Sequence, residues 1–371
     1  MNTPPNVPVR TWPQLIGDLI AGRDLSGSDA SAAMRMILTG EATSAQIAGF
    51  MVALRAKGEN AAELSGLLDA VLEQAKLVPL TADERAQAID IVGTGGDGAH
   101  SINVSTMAAI VVAGAGVPVC KHGARAASSK CGTADVLEEL GVAIEQTPDG
   151  VARCVREAGI GFCLAAAFHG AFKASAQPRR ELGVPTAFNL IGPMANPGRV
   201  RRQLIGVAEP RFAGAMVDAL QKHGLISAWV VHGGGLDELT TTGTSNVIAL
   251  RDGSIEEFTV DPAKLGLAAA TPADLRGGGP EANAEAVRRV LAGDRGPHRD
   301  IVVLNAGAAL VVAGKVDQIA DGIDLACAAI DDGRAAASLA AMVVTSQSAA
   351  TSLASDTSLA TDTSLATDTS R

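Results

Sequence analysis

Four residue clusters have the types and spacing to handle phosphates, a hard cation and a carboxylate. The first is Gly93-Thr94-Gly95-Gly96-Asp97, directly after the apolar run at 89–92. A glycine turn after a strand lets backbone N–H groups approach a phosphate without a Cβ in the way. Ser101 follows, and Asn103-Val104-Ser105-Thr106 then enters an apolar helical stretch whose N-terminus favours anions. Alone, such a turn is equally an ordinary strand-to-helix connection, and its spacing is neither GxGxxG nor a Walker loop. The second cluster is Lys121-His122-Gly123-Ala124-Arg125-Ala126-Ala127-Ser128-Ser129, with Thr133 opening the next helix. Read as one loop after a strand at 117–119, it offers cations, a glycine and hydroxyls to a phosphate or pyrophosphate. A solvated basic loop is the plainer reading, and His122 alone could be structural. The third is Asp237-Glu238, after a strand at 229–231 and the run His232-Gly233-Gly234-Gly235. Adjacent acids at a strand end suit Mg²⁺, although most such pairs are simply exposed. The fourth is Arg179-Arg180, after His169 and Lys173 and before Phe188-Asn189-Leu190-Ile191-Gly192-Pro193. An arginine here can grip a carboxylate bidentately, or merely decorate a helix surface.

The elements that must hold these clusters fall into two textures. Over residues 12–80 apolar residues recur at three and four, as in Ile47, Phe50, Met51 and Leu54. Thr43 with Gln46, and Asn60 with Glu63, have capping-box spacing, and Gly40 and Gly58 stand where helices end. A small unit of three or four helices is expected. From residue 81 to 345, short β-branched runs at 89–92, 117–119, 160–164, 204–207 and 229–231 alternate with helical stretches such as 105–115 and 133–140. Segments 246–250 and 254–258 flank Asp252-Gly253 as a hairpin. This predicts an α/β domain with a central mixed sheet flanked by helices. Residues 280–345 turn helical and Ala-rich. Residues 1–11 read as a loose terminus. Residues 346–371 carry the period-six repeat TSLASD, TSLATD, TSLATD and read as a disordered tail.

Composition narrows the function. The formal net charge is −10, without a long basic run, and tyrosine is absent, so nucleic acid is not the expected partner. No stretch of about 20 apolar residues runs unbroken, which disfavours a membrane span. Five cysteines without ligand spacing read as reduced thiols, and the chain as cytoplasmic.

The motifs, taken in order, resemble a known family. GTGGD, NVST, KHG-x-R-xx-SS, Thr133-Ala134-Asp135-Val136-Leu137-Glu138, RRELG, FNLIGP with Asn196-Pro197, and LDE resemble those of the anthranilate phosphoribosyltransferases over residues 12–345. The resemblance implies a small helical domain, completed by helices near 169–185 and hinged to the α/β domain, with the active site in the cleft and a homodimer formed through the helices. It implies that Gly93, Gly96, Asp97, Ser101, Asn103, Val104, Ser105, Thr106, Lys121, His122, Gly123, Ala124, Arg125, Ala126, Ala127, Ser128, Ser129 and Thr133 bind phosphoribosyl pyrophosphate. Ser105, Asp237 and Glu238 would hold Mg²⁺, and Gly93, Ala124 and Arg179 would meet anthranilate. Lys121 and Arg125 would stabilise the leaving pyrophosphate.

The sequence departs from the family pattern near the acceptor. Ala124 stands where Asn is usual, Gly170 follows His169 in place of Pro, position 172 is Phe, and the loop between His232 and Asp237 is about a residue short. The reaction type is therefore better defined than the acceptor. The alternatives are a phosphoribosyltransferase for another small aromatic acceptor, a nucleoside phosphorylase and a catalytically silent nucleic-acid-binding relative. The last two fit the basic block and the acidic charge less well.

Overall fold

The computed structural model describes residues 10–126 and 129–365, with side chains up to Thr351. Four helices come first: α1 (Trp12–Ile20), α2 (Gly27–Leu38), α3 (Ser44–Lys57) and α4 (Ala61–Gln74). The two sequence-predicted capping boxes start α3 and α4. Gln46 N–H donates to the Thr43 hydroxyl and the Gln46 amide oxygen accepts from Thr43 N–H; Asn60 and Glu63 exchange the same pair of bonds. Helices α2 and α4 cross so closely that a Cβ on Gly66 would lie 2.0 Å from the Gly27 carbonyl oxygen.

The α/β part follows in order: α5 (Ala82–Gln87), β1 (Ile89–Gly93), α6 (Val104–Gly114), β2 (Val119–Gly123), α7 (Thr133–Glu139), α8 (Pro148–Ala158), β3 (Ile160–Leu164), α9 (Ala165–Phe168), α10 (Lys173–Leu182), α11 (Ala187–Met194), β4 (Arg202–Gly206), α12 (Ala213–Lys222), β5 (Ser227–Gly233), β6 (Ser245–Arg251) and β7 (Ser254–Val260). Helices α13 (Pro280–Leu291), α14 (Pro297–Val312), α15 (Ile319–Asp331) and α16 (Arg334–Leu365) close the chain. The seven strands run in the order β3-β2-β1-β4-β5-β6-β7. The first five are parallel and the β6–β7 hairpin is antiparallel. Asp252 and Gly253 both take positive φ, the twist a two-residue hairpin turn requires.

Both sheet faces are covered, so the parallel strands read as nearly unbroken apolar runs. Strand alternation sends Ile89, Ile91, Leu204, Trp229 and Val231 toward α6 and α14, and Val92, Ile205, Val207 and Val230 toward α11, α12 and the N-terminal helices. Helix α10 packs on α2 and α3, within the helical unit.

Two expectations need correction. Strand β2 is Val119–Gly123, not 117–119, so Lys121 and His122 are strand residues paired with β3 and not part of a loop. The chain from Ser346 is also not a loose tail at its start. Helix α16 runs through that point because its Ala- and Ser-rich sequence contains no Gly or Pro to stop it. Ser346 is buried; its hydroxyl accepts from Ala143 N–H at 3.0 Å, and its carbonyl accepts from Gln146 at 2.9 Å. The repeat's side chains and residues 366–371 lie outside the described residues, as do residues 1–9 of the N-terminus.

Candidate active site

Four parallel strands end at one edge in a glycine, and three of these lie against the Asp237-Glu238 segment: Gly93 on β1, Gly206 on β4 and Gly233 on β5. A Cβ on Gly93 would lie 2.2 Å from Asp237 Oδ2, one on Gly206 1.5 Å from the Asp237 carbonyl oxygen, and one on Gly233 2.5 Å from that of Glu238. The three glycines therefore make room for the Asp237-Glu238 segment to lie across the strand ends. This edge includes β1 and β4, where the strand order reverses and ligands of open α/β sheets bind. Asn305 on α14 pins the segment from behind, accepting from Leu239 N–H at 3.0 Å and donating to Leu239 O at 2.8 Å.

The two acids face the phosphate-type loops. Asp237 Oδ2 accepts from Gly95 N–H at 2.7 Å, and Glu238 Oε1 from Ser105 N–H at 3.2 Å. Both residues are only 9% exposed. Burial, reinforced by nearby Asp97, pushes the Asp237 carboxyl up to about 7. Burial and then Asp237 push Glu238 well above the carboxylate range. Lys121 rises from β2 beneath them, 1% exposed, with its ammonium donating to the Ile91 carbonyl and, at 3.3 Å, to the Ser105 hydroxyl. Burial lowers its pKa, while Asp90 and Glu238 oppose that shift.

Two buried carboxylates with so little opposing charge fit a hard divalent cation. Asp237, Glu238 and the Ser105 hydroxyl are the donors at hand. Among the described residues no three His, Cys, Asp or Glu side chains form a complete metal cage. A Mg²⁺ ion here would keep waters or take substrate oxygens, as its chemistry prefers.

The remaining predicted residues divide. Gly96 has φ +80°, which glycine adopts without strain, and Asp97 caps the turn by accepting from Ala99 N–H. Ser101 is bridged to Arg276. Asn103 donates to Cys131 O and accepts from Asn283 on α13 at 2.7 Å. Val104 is buried, and the Thr106 hydroxyl donates to that of Thr133 at 3.4 Å. A Cβ on Gly123 would lie 3.0 Å from the Thr133 Cβ. These residues converge on the strand edge.

His122 points the other way, its buried ring 5.1 Å from that of His169. Ala124 is exposed, and its carbonyl accepts from Ala134 N–H. Arg125 turns to α7, where Asp135 and Glu138 bind it at 3.1 and 2.7 Å and hold its pKa above the usual value. It is not brought to Lys121 in this structure, because two local acids claim its guanidinium. Ala126 N–H is held by Asp135, and the Ser129 hydroxyl donates to Cys131 O. Ala127 and Ser128 lie outside the described residues. Arg179 on α10 is half-buried over the Phe188 ring, 5.1 Å from its centroid, and no ion pair engages it among the described residues.

Sequence reasoning gave no role to Asp90, Asn196, Asn283, Asn305 or Gly206. A charge inside the buried run Ile89-Asp90-Ile91-Val92 was an available signal for the first. Nothing in the helical stretches marked Asn283 or Asn305 as facing a site.

Comparison with known proteins agrees with this architecture. Residues 85–336 match the glycosyl transferase family a/b domain, and residues 13–75 its helical bundle domain. An anthranilate phosphoribosyltransferase from Salinispora arenicola is 52% identical, covering 89% of this chain and 95% of its own. One from Saccharopolyspora erythraea is 50% identical, covering 88% and 93%. Among solved structures, anthranilate phosphoribosyltransferase from Thermus thermophilus superposes with a TM-score of 0.84 at 39% identity, over 90% of this chain and 99% of that one. The Saccharomyces cerevisiae enzyme in complex with PRPP and Mg has a TM-score of 0.82 at 28% identity, over 91% and 98%. With both domains matched in order and about half of the aligned residues shared with such relatives, the chain belongs to the anthranilate phosphoribosyltransferase family.

Proposed function

We propose that this protein transfers the 5-phosphoribosyl group from phosphoribosyl pyrophosphate to anthranilate, releasing pyrophosphate, in tryptophan biosynthesis. The observation that carries the reading is the glycine-floored strand edge where Asp237, Glu238, Ser105 and Lys121 meet. In the reaction the anomeric C–O bond breaks, and its electron pair leaves with pyrophosphate. The aromatic amine forms the new C–N bond from the opposite face and loses its proton to solvent. The transition state is oxocarbenium-like, so the demand on the protein is to stabilise charge growing on the leaving group.

Asp237, Glu238 and Ser105 would hold Mg²⁺, which when bound neutralises that leaving charge. Lys121 and the N–H groups of the 93–97 turn and the α6 N-terminus add fixed positive potential beside it. Arg125 joins them on this reading only by leaving Asp135 and Glu138 when substrate enters. Arg179, stacked on Phe188, orients the anthranilate carboxylate, and Gly93 and Ala124 border the acceptor. Ala124 offers no amide to the acceptor, so a different small aromatic acid is the second reading.

The protein is further expected to act as a homodimer through its helical unit, where Ile20 on α1 and Val52 on α3 stand 75% and 45% exposed. Free cysteines, without a disulfide among the described residues, fit a cytoplasmic setting. No helix among the described residues is long and apolar enough to cross a membrane. The test is loss of anthranilate fluorescence with phosphoribosyl pyrophosphate and Mg²⁺. Turnover of another aromatic acid in preference to anthranilate would replace the acceptor. No turnover with any acceptor would overturn the reaction.

A further inference from the structure

The sheet is split between β1 and β2. Strand β1 pairs with β4 along five residues, and β2 with β3 along five, but β1 meets β2 at one rung, Ile89 with Val119. That rung is regular, with Ile89 N–H donating to Pro118 O. Continued at even spacing, a parallel ladder would next join Ile91 N–H to Cys120 O and His122 N–H to Ile91 O. Side chains take those positions instead. His122 N–H donates to Asp90 Oδ1 at 3.0 Å. Cys120 O accepts from Asn196 Nδ2 at 2.8 Å, and Ile91 O accepts from the Lys121 ammonium. Asn196 Nδ2 also donates to Asp90 Oδ2 at 2.7 Å, and its own Oδ1 accepts from Gly198 N–H at 2.8 Å. Three backbone groups freed by the split, His122 N–H, Cys120 O and Ile91 O, are thus satisfied by side chains, as burial requires.

We propose that Asp90 and Asn196 are positioning residues which hold β1 and β2 apart, so that the Lys121 ammonium lodges between the strands below Ser105. The proposal rests on the functional reading above and deepens it. Were the ladder to close, Ile91 O would be taken by His122 N–H, and Lys121 would lose its lower anchor. A wholly buried carboxylate in a strand is expensive for the fold, so an apolar residue would be the default at position 90. Its place is accounted for by the strand N–H of His122 and the side-chain amide of Asn196 that it binds.

Two readouts test this. The first is a double-mutant cycle on kcat/KM for phosphoribosyl pyrophosphate with Asp90→Asn, Lys121→Met and the double variant. Asp90→Asn is expected to lower kcat/KM by about 10-fold or more. If Asp90 acts through Lys121, the double variant is no worse than Lys121→Met alone. Losses that simply multiply would overturn the proposal, because a general loosening of the fold acts independently of Lys121. Should Asp90→Asn fail to fold, Asn196→Ser enters the same cycle, since it frees Cys120 O and Asp90 Oδ2 without adding a charge. The second readout needs no activity: acetylation of Lys121 by acetic anhydride, followed by mass spectrometry of the full chain. Lys121 is protected in wild type and is expected to react about 10-fold faster or more once the wedge is removed. Equal rates would overturn the proposal. If wild type shows no phosphoribosyl transfer, the functional reading fails, and the acetylation rates still decide the role of Asp90 and Asn196.

Discussion

At the residue scale, the decisive fact about Asp237 and Glu238 is their burial. Asp237→Asn keeps an oxygen for Gly95 N–H but removes the charge. Turnover is expected to fall roughly 100-fold or more, while the melting temperature without Mg²⁺ does not drop, because one of two buried like charges is gone. Kinetics and thermal unfolding on the same preparation check both halves. Arg179→Ala should raise the KM for anthranilate about 10-fold or more while sparing phosphoribosyl pyrophosphate, since a half-buried guanidinium without an ion pair is free to take a carboxylate. Ala124→Asn should add one neutral hydrogen bond and gain roughly 2- to 10-fold in kcat/KM for anthranilate; a loss instead would point to another acceptor. His169 sets a pH dependence of stability. Burial holds its imidazole down to about 4, although Ala195 O accepts from Nε2 at 2.8 Å. Between pH 6.5 and about 4 the unfolded chain binds a proton that the folded chain refuses. Stability is therefore full above this window and falls as pH drops through it, by at most about 1.4 kcal/mol per pH unit. His169→Gln, which keeps a donor for Ala195 O, should make that limb shallower in thermal melts from pH 7 to 4.5, while the buried His122 beside it keeps a slope of the same sign.

At the element scale, the helix after Thr345 separates two truncations. Ending the chain at Thr345 removes the Ser346 bonds to Ala143 and Gln146, the Gln347 bond to Gly141 O and the packing of Ala349. That should destabilise the protein by roughly 1–3 kcal/mol, visible as a melting temperature several degrees lower. Ending it at Thr351 keeps these contacts and should leave the melting temperature within about 1 °C of wild type. The helix caps, by contrast, were legible from spacing alone, because a capping box is closed by residues three apart and needs no distant partner. The start of β2 was misjudged for the opposite reason. Lys121 and His122 look like loop residues until β3, Asp90 and His169 surround them.

At the scale of the whole molecule, the helical unit and the sheet share one apolar cluster through α11 and α12. Arg55 on α3 reaches across to Glu209 and lies over the Phe212 ring, 4.3 Å from its centroid. The homodimer expectation is tested by light scattering. Ile20→Glu with Val52→Glu should shift the protein from dimer to monomer without unfolding it, since both side chains stand in solvent in the isolated chain. A monomeric wild type would remove the dimer from the proposed function.

The sequence by itself determined the parts built from near neighbours. Hydrophobic periodicity marked the helices and the strands, and Asp252-Gly253 marked the hairpin. The ordered motifs marked the family and most of the residues that meet at the strand edge, because turns, caps and strand ends are specified by residues a few positions apart. The tertiary structure alone decided what depends on residues far apart in the chain. Gly206 had to be glycine because Asp237 crosses it. Arg125 was drawn to α7, and Asn283 reached Asn103 across 180 residues. The split between β1 and β2 needed Asn196, 106 residues beyond Asp90, to meet it. Such pairings follow from the packing of the sheet with its helices, and no local pattern encodes which distant side chain will fill a given gap.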